Sequence, residues 1–153
     1  MRRAARSLVL FFASGCCAGY APVAPGTAGS IVGLLLFYVL APLPTALYCA
    51  VTCIFTLLAI GLAGKAEKFL GVNDPPLVVI DEIAGQLITL AALPAHWIYM
   101  LAGFFLFRLF DIIKPWPANK INRDMHGGSG IVLDDVVAGL YANFVLQLAR
   151  VLF

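Results

Sequence analysis

Charge is what this chain has least of. Of its 153 residues, 10 are Lys or Arg and 8 are Asp or Glu. Charged residues therefore make up 12%, against about 25% in ordinary soluble domains. Hydrophobic residues reach 62% and the mean hydropathy is +0.97. Such a shortage of charge excludes a disordered chain and argues against a water-soluble globule. The net charge is only +2, and no basic stripe interleaved with aromatics occurs, so nucleic acid is a poor partner. Cysteine is scarce as well. Cys16, Cys17, Cys49 and Cys53 form no C-x-x-C pair, which leaves them as small hydrophobes rather than metal or redox ligands. The chain also lacks G-x-x-x-x-G-K-[ST], G-x-S-x-G, H-E-x-x-H and a cysteine followed by a phosphate loop ending in arginine. Nucleotide hydrolysis, serine hydrolysis, zinc proteolysis and cysteine-phosphatase chemistry all lack their parts.

The few charges are placed in blocks. None occurs from Ser7 to Gly64, from Ile83 to Phe107, or from Val136 to Ala149. About 20 apolar residues span a bilayer as a helix, so the first run is long enough for two crossings. No strand-like alternation competes, and a lipid-embedded backbone must be helical or form a closed barrel. The expectation is an all-α integral membrane bundle of about six or seven helices, several of them short or re-entrant, in one domain over 1–153. Prolines, glycines and basic ends place helices at about Ser7–Ala18, Ser30–Leu40, Thr45–Phe69, Asp81 to the break at Leu93-Pro94, His96–Ile113, Pro117–Asp124 and Leu133–Leu152. Arg2, Arg3 and Arg6 before Leu8–Phe12 look like the start of a signal peptide. The uncharged run continues far past Cys16, however, so a retained helix with a basic cytoplasmic flank is expected. By the positive-inside rule the N-terminus, Lys65–Lys68 and Arg108–Arg123 share the cytoplasmic side. The run 83–107 then folds back at Pro94 as a hairpin. A single kinked span, with Asp81 and Asp111 at opposite ends, is the alternative.

Carboxylates near a membrane are functional candidates by default. Two of them sit in an internal echo: Asp81-Glu82-Ile83-Ala84-Gly85 and Asp135-Val136-Val137-Ala138-Gly139 both read D-x-[IV]-A-G. Each Asp has a Gly four residues on, on the same helix face, and glycine there lets two helices approach closely. Glu82 and Asp134 add two more acids. Asp81, Glu82, Asp134 and Asp135 together would need a cation between them, and oxygen-only ligands select a hard ion such as Mg²⁺. The plainer reading is a pair of helix N-caps. Arg108, Asp111 and Lys114 recur every three residues, a cation–anion–cation row suited to a phosphate, or else a self-neutralising surface row. Arg123 is a further phosphate-binding candidate. His126 is either a proton donor to the leaving oxygen or a loop histidine. Thr27, in Pro25-Gly26-Thr27-Ala28-Gly29-Ser30, opens a helix whose free N–H groups could cradle a phosphate. Ser30 as a simple N-cap fits that spacing equally well. Asp81, Asp111 and Asp135 are the acids nearest to chemistry. Phosphoryl transfer on a lipid, at a membrane surface, is the chemistry these parts allow.

The motifs 24–30 (APGTAGS), 79–86 (VIDEIAGQ), 107–117 (FRLFDIIKPWP) and 126–139 (HGGSGIVLDDVVAG) resemble those of the bacterial phosphatidylglycerophosphatase A family, in the family's order over about residues 8–150. The resemblance implies an all-helical, multi-pass inner-membrane enzyme that needs Mg²⁺. It implies hydrolysis of phosphatidylglycerophosphate to phosphatidylglycerol and phosphate on the cytoplasmic side. The expected partners are that anionic phospholipid and the surrounding membrane lipids, with no obligate protein partner. A Mg²⁺-dependent lipid phosphate monoesterase is thus expected. A head-group transferase and a non-enzymatic Mg²⁺ or proton channel are the rivals.

Overall fold

The computed structural model describes residues 2–152; Met1 and Phe153, the ends of the expected domain, and the side chain of Arg2 lie outside the description. Among the described residues there are seven α-helices and no strand: α1 (Arg2–Ala13), α2 (Pro25–Leu40), α3 (Thr45–Leu70), α4 (Ile80–Thr89), α5 (Trp97–Ile113), α6 (Ala118–Asp124) and α7 (Gly127–Leu152). Two of them, α3 and α7, are long and apolar enough to cross a membrane, and α2 is a shorter apolar helix.

The short α4 forms the centre. Nearly all of its side chains are buried, and α2, α3, α5 and α7 pack around it while α1 leans on α3. Small residues make this possible. Gly29 of α2 backs onto Val79, and Gly33 backs onto Gln86. A Cβ on Gly139 of α7 would meet the Gly85 carbonyl oxygen at 2.5 Å, and one on Gly85 would meet the Asp135 carbonyl oxygen at 2.9 Å. The two D-x-[IV]-A-G segments therefore touch along their Asp-to-Gly face, as the echo predicts, and α4 runs parallel to α7. On α3, Ala59, Ala63 and Ala66 are fully buried, and Gly128 of α7 packs on Ile60 and Gly64.

A helix that ends inside an apolar body must have its last carbonyls satisfied. Here α7 does this. The Asn143 amide donates to the carbonyls of Thr89 and Ala91 at 2.9 Å each, Gln147 donates to Ala91 and Arg150 to Ala92. One face of α7 thus caps the end of α4. The chain then turns at Leu93-Pro94, and His96 caps α5 by accepting from the Ile98 N–H. The run 83–107 is the hairpin rather than the kinked span, so Asp81 and Asp111 lie at one end of the molecule. Arg6 donates to the Phe69 carbonyl at that end too, beside the last turns of α3 that carry Lys65 and Lys68.

Three expected helix starts move. The first helix covers Arg2–Ala13, not Ser7–Ala18, because Gly15, Cys16 and Cys17 adopt positive φ and break it. The second begins at Pro25, five residues before the expected Ser30, since proline is acceptable at the first helical position. Ser30 is not a cap but an interior residue whose hydroxyl donates to the Gly26 carbonyl. The last helix begins at Gly127 rather than Leu133. Its glycines do not break it, because they are what lets it press onto α3 and Met125.

Candidate active site

The first turns of α2 and α4, the end of α5 and the second and third turns of α7 enclose a cavity of about 280 Å³ at the polar end. Asp81 and Glu82 enter it from the first turn of α4, and Asp134 and Asp135 from α7. Neither pair forms an N-cap. Val79 occupies the cap of α4, and Asp135 lies two turns inside α7. Asp81 and Asp135 are 7% and 3% exposed, which is costly for a carboxylate without compensation.

Single oxygens of Asp81, Glu82 and Asp135 lie within 4.8 Å of one another. Asp81 Oδ1, Glu82 Oε2 and Asp135 Oδ2 are buried and accept no hydrogen bond. Burial first, then the charges of Glu82 and Asp135, push the Asp81 carboxyl well above the usual carboxylate range. Glu82 is also pushed up, chiefly by burial, against the opposing pull of an Asp81 hydrogen bond. Three carboxylates this close are not all ionised by themselves, and a hard divalent cation is the charge that would ionise them.

Asp134, the fourth acid of the expected metal set, lies outside this group of three, although its Oδ1 is likewise buried and without a hydrogen-bond partner. Its Oδ2 accepts from Lys114 Nζ and, at 3.0 Å, from Asn122 Nδ2. It stands on the cation side of the cavity because α7 turns its side chain about 100° from that of Asp135. Burial pulls the Lys114 ammonium down, and the bond to Asp134 with the charges of Asp135 and Asp111 more than reverses this, so it is raised. Arg108 Nη1 lies 2.5 Å from Asp111 Oδ2 and 3.8 Å from Glu82 Oε1. The row Arg108–Asp111–Lys114 thus faces the cavity rather than the surface.

Three expected site residues are not brought there. Arg123 is 77% exposed by side chain and pairs with its neighbour Asp124 at 2.8 Å, because α6 points it away from α7. His126 is exposed and does not line the cavity but a small adjoining pocket, which shares Asp74 and Ile131 with it. Thr27 does not line the cavity, and its N–H is already bonded to the Ala24 carbonyl at 3.0 Å. Its neighbour Gly26 does line it. A Cβ there would collide with Glu82 Oε1 and sit 3.0 Å from Arg108 Nη1, so the glycine lets α2 close over that ion pair.

Two residues in the site were not singled out from sequence. Asn122, on α6, donates to Asp134 Oδ2. Asp74 lines the cavity from the loop before α4; its signal in the sequence is an acid directly ahead of Pro75-Pro76, and its backbone adopts a positive φ of 46°.

Residues 11–150 match the family model of phosphatidylglycerophosphatase A. The phosphatidylglycerophosphatase A of Escherichia coli (strain K12) is 40% identical over 129 residues, covering 84% of this chain and 75% of that protein. The phosphatidylglycerophosphatase A of Haemophilus influenzae is 40% identical over 125 residues, 80% of this chain and 77% of its own length. A putative phosphatidylinositol-3-phosphatase of Bacteroides thetaiotaomicron is 38% identical over 152 residues, 94% of each chain. No solved structure matches significantly.

Proposed function

Since this chain belongs to the phosphatidylglycerophosphatase A family and is a phosphoric monoester hydrolase, we propose that it hydrolyses phosphatidylglycerophosphate with Mg²⁺ at the cytoplasmic face of the bacterial inner membrane. The products are phosphatidylglycerol and inorganic phosphate. The observation that carries the metal is the trio Asp81, Glu82 and Asp135, each with a buried, unpartnered oxygen. All its donors are carboxylate oxygens, the chemistry Mg²⁺ prefers. These three residues would hold the ion, and when bound it supplies Lewis-acid stabilisation of phosphoryl charge.

The remaining chemistry belongs to this chain's side chains. Arg108 and Lys114 are held at the cavity by Asp111 and Asp134. A phosphate monoester carries two negative charges, so its oxygens compete with those carboxylates for both cations. Arg108 binds as a fork and Lys114 as a point charge. Hydrolysis breaks the bond between phosphorus and the glyceryl oxygen, which must gain a proton while the attacking water loses one. Asp111 lines the cavity outside the metal trio, which supports the reading that it takes the proton from water once the phosphate draws Arg108 away.

Support for the membrane setting comes from the outward faces. Leu35, Leu57, Phe105 and Phe144 are each 64–69% exposed on α2, α3, α5 and α7, a belt of apolar surface around the helices. Arg6, Lys65, Lys68, Arg108 and Lys114 collect at the cavity end, which the positive-inside rule assigns to the cytoplasm. The same gathering argues against a channel, whose acids would be strung along the apolar length.

The test is phosphate release by the purified protein in mixed micelles, with Mg²⁺ and with excess chelator. Phosphatidylglycerophosphate should be hydrolysed only with Mg²⁺, and restoring the ion should restore the rate. Full activity in chelator removes the metal from the reading. The Bacteroides relative supplies a second reading, a phosphoinositide substrate. Faster release from phosphatidylinositol 3-phosphate than from phosphatidylglycerophosphate would favour it.

A further inference from the structure

Gln86 is the one large polar side chain of α4 that the reaction above does not use. It is completely buried, yet neither its Oε1 nor its Nε2 has a hydrogen-bond partner. Buried amides are nearly always partnered, and an exception asks for a reason. Its position supplies one. Gln86 lies four residues beyond Glu82, hence one turn along the same helix face. The α2 glycines confirm that alignment: Gly26 abuts Glu82, and Gly33, seven residues on, abuts Gln86. The Oε2 atom of Glu82 is itself buried and unpartnered.

We infer that Gln86 is a positioning residue for Glu82, its amide N–H holding the carboxylate through one buried water. No direct bond joins the two side chains. A buried water needs two to four polar partners; Gln86 Nε2 offers one and Glu82 Oε2, one helical turn away, a second. Metal-ligating carboxylates are characteristically oriented by such outer hydrogen bonds, whose loss costs 10–100-fold in affinity or activity. Glu82 lies 3.8 Å from Arg108 through its Oε1, while its buried Oε2 accepts no hydrogen bond from another side chain among the described residues. The inference rests on the Mg²⁺ reading of the trio.

The test uses Gln86→Leu, which keeps the bulk and removes the hydrogen bonds, with Gln86→Met as a second variant. Three quantities are measured on purified protein: the thermal midpoint without Mg²⁺, the upward shift of that midpoint on titrating Mg²⁺ without substrate, and kcat and KM. The midpoint without Mg²⁺ should change little, because the variant keeps the bulk of the buried side chain. The half-saturating Mg²⁺ concentration should rise at least about tenfold, and kcat should fall by about the same factor with KM little changed. A variant with wild-type Mg²⁺ affinity and wild-type kcat overturns the inference and leaves Gln86 as packing. If Gln86→Leu does not accumulate, Gln86→Met is judged by the same readings. If neither variant accumulates, Gln86 is needed for folding and the inference is overturned as well. A wild-type protein that neither shifts with Mg²⁺ nor needs it would instead overturn the metal reading itself, so the two failures are distinguishable.

Discussion

At the scale of single residues, the site separates acids by what they touch. Both Asp134 and Asp135 keep one buried, unpartnered oxygen, but only Asp135 brings an oxygen within 4.8 Å of Asp81 and Glu82, whereas the other oxygen of Asp134 accepts from Lys114 and Asn122. Asp135→Asn should therefore lower phosphate release on the order of 10²-fold or more, since metal-borne stabilisation amounts to several kcal/mol. Asp134→Asn should act mainly on substrate binding, raising KM by loosening Lys114. His126→Ala and Arg123→Ala should stay within about twofold of wild type, because both side chains point outside the cavity. Steady-state kinetics on the four variants checks the set, and a large kcat loss in His126→Ala would contradict the placement. The raised carboxyls also set a pH dependence. Without the ion, folded Asp81 holds its proton more tightly than the unfolded chain does, so this residue's contribution to stability falls as pH rises. Mg²⁺ must displace that proton. The midpoint shift caused by a fixed Mg²⁺ concentration should therefore grow with pH, and a shift that is flat across pH would contradict it.

At the scale of elements, function depends on how closely α4 and α7 run. The Gly139 Cα faces the Gly85 carbonyl, and a Cβ there would stand 2.5 Å from that oxygen and 3.2 Å from Ile88 Cβ. Backbone on one side and a β-branched residue on the other leave little room to yield. Gly139→Leu should push the helices apart, and a displacement of about 1 Å at a positioned group costs on the order of 10²-fold. Turnover should nearly vanish while the protein still accumulates in the membrane fraction, as judged by immunoblot. Near wild-type activity in Gly139→Leu would mean that the spacing between Asp81 and Asp135 is not set by this contact. The same two helices explain why a ten-residue helix can end inside an apolar body. The Asn143, Gln147 and Arg150 side chains of α7 satisfy the carbonyls that α4 leaves free.

At the scale of the whole molecule, Arg6, Lys65, Lys68, Arg108 and Lys114 share one end with the cavity, while Pro94 and Arg150 lie at the other. Single cysteines at positions 68, 120 and 126 should be shielded from an impermeant thiol reagent outside intact cells. One at position 95 should be labelled. All four native cysteines are exposed, so the background must lack them. Position 128 is unsuitable, because Gly128 packs directly on Ile60. Labelling at 68 or 120 from outside would reverse the orientation.

Much of this was legible in the sequence. The charge-free runs, with no strand-like alternation, point to apolar helices, since helices and closed barrels are the backbones that satisfy their hydrogen bonds in lipid. The echo of D-x-[IV]-A-G points to a contact between α4 and α7, because a face of Asp and Gly four apart has a purpose only when another helix lies against it. Basic residues mark one end. What the tertiary structure alone decided is which side chains meet. The 100° step between neighbours on α7 sends Asp135 to the carboxylate trio and Asp134 to Lys114, and residue type does not distinguish the two. The path of α6 carries Arg123 outward, and the turn before α7 leaves His126 outside. Gly127–Gly130 read as a break until α3 offered a surface that only glycine can approach. The unpartnered amide of Gln86 is likewise invisible in sequence, since glutamine in an apolar run acquires a meaning only when its neighbours fail to bond it.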